Sequence, residues 1–158
     1  MTDSAHAGRL PRTVIPYHYE IELVPDLESG ALSGAVMVRV RIEAPVHTIE
    51  LHSAGLSIEG AMVLLDDGGL ARAVVEAHPD LQRVALHLPD IVPVGEATIS
   101  LRFSGTMSEG LGGLYRRTVS GRDGGDVVIA ATQCFPTDAR RVFPCWDEPD
   151  FKAGFVLH

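Results

Sequence analysis

Thr132 to Pro149 holds the densest set of chemically able side chains in the sequence. It carries Gln133, Cys134 and Cys145, the aromatics Phe135, Phe143 and Trp146, the cations Arg140 and Arg141, and the carboxylates Asp138, Asp147 and Glu148. A cysteine becomes a nucleophile where a base stands beside it, and adjacent carboxylates can divide acid and base work. No histidine or other base adjoins Cys134 in the sequence, so a small buried side chain is the expectation there. Asp147 and Glu148 read as partners of Arg140 or Arg141, because a forked guanidinium–carboxylate bond pins a loop well. Either arginine can serve either carboxylate at this spacing.

Metal chemistry asks for a different pattern. Zinc hydrolysis on a helix needs two histidines one turn apart with a general-base glutamate, as in H-E-x-x-H. The histidines are His6, His18, His47, His52, His78, His87 and His158, and none is followed by glutamate. His47 and His52 are the closest pair, but an odd spacing on a strand sends them to opposite faces. They read as exposed strand residues, and no metal site is expected in this chain. Gly110-Leu111-Gly112-Gly113 is not followed by the Lys and Ser/Thr of a phosphate-binding loop, so these are turn glycines. Two cysteines are too few for a disulfide scaffold, which points to a reduced, cytoplasmic protein.

The elements that must carry this loop are strands. Tyr17, Tyr19, Ile21 and Leu23 alternate with His18, Glu20 and Glu22; Val36, Val38, Val40 and Ile42 alternate with Arg39, Arg41 and Glu43; Ala97, Ile99, Leu101 and Phe103 alternate with Thr98, Ser100 and Arg102. Period two places successive side chains on opposite faces of a strand. Weaker strands fit 46–51, 56–65, 71–76 and 84–88. Residues 127–132 are apolar on both faces, as in a strand buried within the body of the fold. Asp67-Gly68-Gly69 and Asp123-Gly124-Gly125 fit hairpin loops, where positive φ is needed. Pro136 can open a short helix through Thr137–Arg141, which Pro144 would end. No stretch sustains a 3.6-residue period. The expectation is therefore all-β, an antiparallel β-sandwich spanning 9–158 behind a flexible tail of residues 1–8.

Length and charge narrow the partners. The chain has 158 residues, enough for one core without staples. Its 13 basic and 21 acidic residues give a net charge of −8. That field repels phosphate backbones and anionic lipid, so no nucleic acid and no membrane is expected. The longest apolar runs, Ala61–Leu65 and Val127–Ala131, fall far short of the ~20 residues that cross a bilayer. The first residues lack a charged segment followed by an apolar one, so they do not form a signal peptide.

The run Thr132-Gln-Cys-Phe-Pro-Thr-Asp-Ala-Arg-Arg-Val-Phe-Pro-Cys-Trp-Asp-Glu-Pro-Asp-Phe-Lys-Ala resembles the signature loop of the aminopeptidase N family of zinc metallopeptidases. That loop reads roughly T-Q-F-E-P-x-D-A-R-x-x-F-P-C-F-D-E-P-x-F-K-A. Further landmarks agree in order: Leu10-Pro11 and Pro16–Asp26 resemble the family's opening strand, Gly34–Val38 its second, Ile49–Ser53 its third, and Gly113–Arg116 the segment before the loop. The resemblance runs from residue 9 to 158 and covers the family's N-terminal β-domain, which this chain is expected to leave unfinished. It implies a saddle-like β-domain that is not catalytic alone. The zinc, H-E-x-x-H and G-A-M-E-N would belong to a catalytic domain absent from this chain, leaving no cofactor here. The resemblance also implies that Gln133 lends its amide to the substrate-binding wall, with Cys134 and Phe135 beside it. Phe135 stands where the family places a glutamate for the substrate's ammonium group. Asp138, Arg140, Arg141, Asp147 and Glu148 match the residues that hold the loop. The implied partners are a catalytic domain or a peptide or small-molecule ligand, with homo-oligomers through an exposed edge strand near Phe151–Leu157. The alternatives are a stand-alone binding module and a repurposed small enzyme on the same surface.

Overall fold

The computed structural model describes residues 8–122 and 124–158. The expected tail, apart from the exposed Gly8, and Asp123 of the second hairpin lie outside the described residues. The described residues form ten strands: β1 Val14–Pro25, β2 Ala31–Ile42, β3 Val46–His52, β4 Ser57–Leu65, β5 Leu70–His78, β6 Arg83–Val92, β7 Gly95–Thr106, β8 Gly113–Ser120, β9 Asp126–Gln133 and β10 Gly154–Leu157. Eight form one curled sheet in the order β10-β1-β2-β7-β4-β5-β6-β3, while β8 and β9 pair as a separate hairpin.

The curl closes the sandwich, and β5 makes the corner. Its first half, Leu70 to Ala73, pairs with β4, and its second half, Val74 to His78, pairs with β6. One strand thus leaves the first layer and enters the second, as strands do at the corners of packed sheets. Val36, Val38, Val40 and Ile42 of β2 and Ala97, Ile99, Leu101 and Phe103 of β7 enter one core cluster with Ile49, Leu51, Val84, Leu86 and Leu88 of the facing layer. Each fully buried Val, Leu or Ile contributes about 1.5–3 kcal/mol relative to exposure. Gly34 is required where β2 passes closest to its neighbours, because a Cβ there would lie 2.4 Å from the Glu22 carbonyl oxygen and 2.7 Å from the Phe103 ring.

The fold departs from the sequence expectations at five points. In β1 the register shifts between Pro16 and His18, a bulge that reverses the alternation. Val14 and Pro16 are buried before it and Tyr19 and Ile21 after it, which leaves Tyr17 37% exposed and bonded to Glu96. The antiparallel rule fails at one edge, where β10 runs parallel to β1. The strand expected to be buried on both faces is β9, and its Val127, Val128 and Ile129 are all more than 40% exposed. Apolar side chains are buried only where a second layer covers them, and among the described residues β9 pairs with β8 alone. β8, which opens on the glycine run, was not anticipated as a strand. The helix after Pro136 is only a 3-10 turn over Ala139–Arg141, capped at Val142 before Pro144 is reached.

Candidate functional site

The loop from Gln133 to Phe151 closes one end of the sandwich. It is tied first by backbone. His52 at the end of β3 and Cys145 exchange two hydrogen bonds, 2.8 Å from the His52 N–H and 3.0 Å from the Cys145 N–H. Ala54 N–H donates to the Arg140 carbonyl at 2.9 Å. Cys145, Trp146 and Phe151 then enter the main core, while Val142 joins Leu32, Met107 and Leu114 in a second cluster, and Phe143 touches both. Trp146 N–H donates to the Tyr19 hydroxyl at 3.2 Å. Burial pushes that phenol well above its usual range.

The open choice of ion pairs resolves within this frame. Arg140, only 8% exposed, donates from Nε to Asp147 Oδ2 at 2.9 Å and from a terminal nitrogen to the Asp147 carbonyl at 3.1 Å. Its other terminal nitrogen reaches Gln82 Oε1 at 3.4 Å. The side chains of the pair are 10% and 12% exposed, so water screens it little. Arg141 turns outward instead and donates to Asp138 Oδ1 at 2.7 Å, across one turn of the Ala139–Arg141 segment. This pair sits on the glycines that open β8. Gly113 has φ +71°, and a Cβ there would lie 2.8 Å from the Arg141 Cβ; one on Gly112 would lie 2.8 Å from Asp138. Glu148 takes neither arginine. Its Oε1 accepts from the Leu10 N–H at 2.6 Å, which holds the start of the described chain against the loop. The neighbouring Asp150 is bonded by Arg12, whose guanidinium also lies 4.9 Å from the Phe151 ring centroid.

One member of this network was missed from the sequence. His52, expected as an exposed strand histidine, is 3% exposed, and its Nδ1 accepts from the Asp147 N–H at 3.2 Å. Burial, with Arg140 and Arg83 nearby, pushes its pKa from 6.5 down to about 4. The register of β3 shifts between Val46 and Thr48, at His47 itself, so the odd spacing does not fix which faces the two rings take. Loop residues some ninety positions later bury one of those faces, a fact that no local pattern carries.

Gln133 ends β9, paired with Gly113 and exposed. Its side chain makes no hydrogen bond to another described residue. Phe135 is 82% exposed. Cys134 lies between them, half-buried against the second cluster rather than fully inside as expected. Partial burial, with Asp147 and Asp138 nearby, raises its thiol above the ordinary range, as full burial does for Cys145. Both sulfurs are free thiols. A raised pKa suppresses the thiolate that nucleophilic chemistry requires. Among the described residues no group of three or more His, Cys, Asp or Glu could hold a metal ion. Among those residues, too, no helix is long and apolar enough to cross a membrane.

Known proteins resemble this chain in sequence. The chain is 38% identical over 150 residues to Aminopeptidase M1-D of Oryza sativa subsp. japonica, a match covering 95% of this chain and 17% of that protein. It is 34% identical over 152 residues to Aminopeptidase N of Acetobacter pasteurianus, covering 96% and 42%. Endoplasmic reticulum aminopeptidase 1 of Homo sapiens matches at 36% over 153 residues, covering 94% and 16%. The chain thus spans less than half the length of each of these relatives. The Peptidase M1 N-terminal domain family matches residues 15–158, from the second residue of β1 through the loop and β10, and the chain belongs to that family.

Proposed function

We propose that this chain serves a cytoplasmic zinc aminopeptidase as its N-terminal β-domain, that it forms part of the wall along which peptide substrate lies, and that it has no peptidase activity alone. The observation that carries this reading is Gln133. Its amide is exposed and unused at the end of β9, while the loop immediately after it is locked by Arg140, Asp147 and His52. A polar group that does not serve the fold, held on a rigid support, is suited to contact a ligand. Phe135 offers that ligand apolar surface, so the carboxylate that receives a substrate's ammonium group comes from outside this loop.

Zinc and the general base belong to a partner catalytic domain, a reading supported by the lack of the required ligand set among the described residues. The chain, incubated with zinc and desalted, should retain no stoichiometric metal and should hydrolyse no aminoacyl amide. One tightly held zinc per chain by metal analysis would sink this reading.

β10 supports a second element of the proposal. All four of its residues are exposed, and it lies at the sheet's edge with β1 on one side only. Unpaired edges recruit strands, so the chain is expected to self-associate through β10 at high concentration. Sedimentation showing a clean monomer at hundreds of micromolar would count against it.

A further inference from the structure

Away from the loop, the outer face of the main sheet carries a trough of about 390 Å³ crossing β1, β2, β7, β4 and β5. Two cross-strand rows build it. In the first, Glu22, Ala35, Arg102 and Gly60 stand side by side; in the second, Glu20, Met37, Ser100, Met62 and Arg72 do. The floor is shallow because its central residues are small, and a Cβ added at Gly60 would meet nothing within 4 Å. Met37, 40% exposed, and the half-buried Met62 form an apolar stripe along the second row. Thioether side chains adapt to varied apolar shapes.

Its charged and titratable lining is Glu20 and Glu22 on β1, Arg102 on β7, Glu59 on β4, Arg72 on β5, and His158. Glu20 is already engaged by Arg39 at 3.4 Å. Glu22, Arg102 and Arg72 make no ion pair or side-chain hydrogen bond with any described residue. Glu22 and Arg102 are two strand spacings apart, about 10 Å, with Ala35 low between them. A carboxylate at one end and a guanidinium at the other match a ligand with a cation and an anion at that separation. The charged groups of a single α-amino acid, two bonds of ~1.5 Å apart, are too close together. A tripeptide, at about 3.3–3.6 Å per residue, has the right span.

We propose that this trough binds a short peptide with free termini, its ammonium group at Glu22 and its carboxylate forked by Arg102, with apolar side chains on Met37 and Met62. Charge-assisted bonds fix the two ends. Arg72, two strands beyond Arg102, accepts the carboxylate of a longer peptide.

The test is an NMR titration of the 158-residue chain with Ala-Leu-Ala and with its N-acetylated and C-amidated forms. The free tripeptide should shift the amides of Ala35, Gly60 and Ser100, and each block should weaken binding about tenfold, the effect of one lost charged bond. Arg102→Gln should abolish the sensitivity to amidation, and Glu22→Gln the sensitivity to acetylation. Both side chains are exposed, so both variants should fold. Gln133→Ala should change none of this, which separates failure here from failure of the substrate-wall reading. Absence of shifts, shifts confined to β9 and the loop, or equal binding of free and blocked peptides would overturn the proposal.

Discussion

Arg140→Ala should lower the melting temperature by about 10 °C, whereas Gln133→Ala should leave it nearly unchanged. Arg140 is buried and supplies the charge partner of Asp147 together with bonds to the Asp147 carbonyl and Gln82. Truncating it strands a carboxylate that is 12% exposed. Stranding a buried charge costs about 3–5 kcal/mol, against ~0.2–1 for an exposed pair. For a chain of this size each kcal/mol moves the midpoint by about 2–4 °C. The double variant Arg140→Met with Asp147→Asn should recover part of the loss, because the stranded charge is then gone. Gln133 donates no bond that holds the fold, so its loss should appear in ligand binding alone. Thermal unfolding of the three variants decides the matter. Equal destabilisation by Gln133→Ala would place that residue in the structural network and remove it from the binding wall.

The second large effect is a dependence of stability on acid that is traceable to His52. Its folded pKa is about 4, against 6.5 ordinarily. Above pH 6.5 the ring is neutral in both states and adds no pH dependence. As pH falls from 6.5 towards 4, the unfolded chain takes up a proton that the folded chain refuses, so stability declines across that window. The full difference corresponds to roughly 3–4 kcal/mol. Carboxylates held low in the folded state, Asp26 by its bonds from Ser29 and Glu28 and Asp150 by Arg12, add their own loss further into acid. His52→Asn separates these contributions, since an amide oxygen can still accept from the Asp147 N–H but cannot titrate. Denaturant unfolding from pH 7 to pH 4.5 should show a flatter slope for the variant. Parallel slopes in the two proteins would exclude His52 as the source.

Both predictions involve residues on which sequence and structure divide. The alternation in 36–42 and 97–103 was legible because a strand buried on one face must repeat every second residue, a constraint carried by neighbours in the chain. The loop was legible by composition and by resemblance. Its ions were identifiable as a set, but their pairing was not: the 3-10 turn at Ala139–Arg141 brings Arg141 to Asp138 and leaves Arg140 to Asp147. Glu148 meets Leu10, 138 positions away, and no spacing rule links them.

The sequence by itself determined which residues alternate, where the chain turns, that zinc ligands are not grouped in any recognisable motif, and to which family the loop bears resemblance. Only the tertiary structure decided what is covered. The bulge after Pro16 turned Tyr17 outward, the loop folding over β3 buried His52, and the pairing of β9 with β8 alone, outside the main sheet, left Val127, Val128 and Ile129 in solvent. Periodicity is a property of consecutive backbone geometry and can be read along the chain. Burial and partner choice depend on residues brought close from far along the chain, and those contacts exist only once the fold is closed.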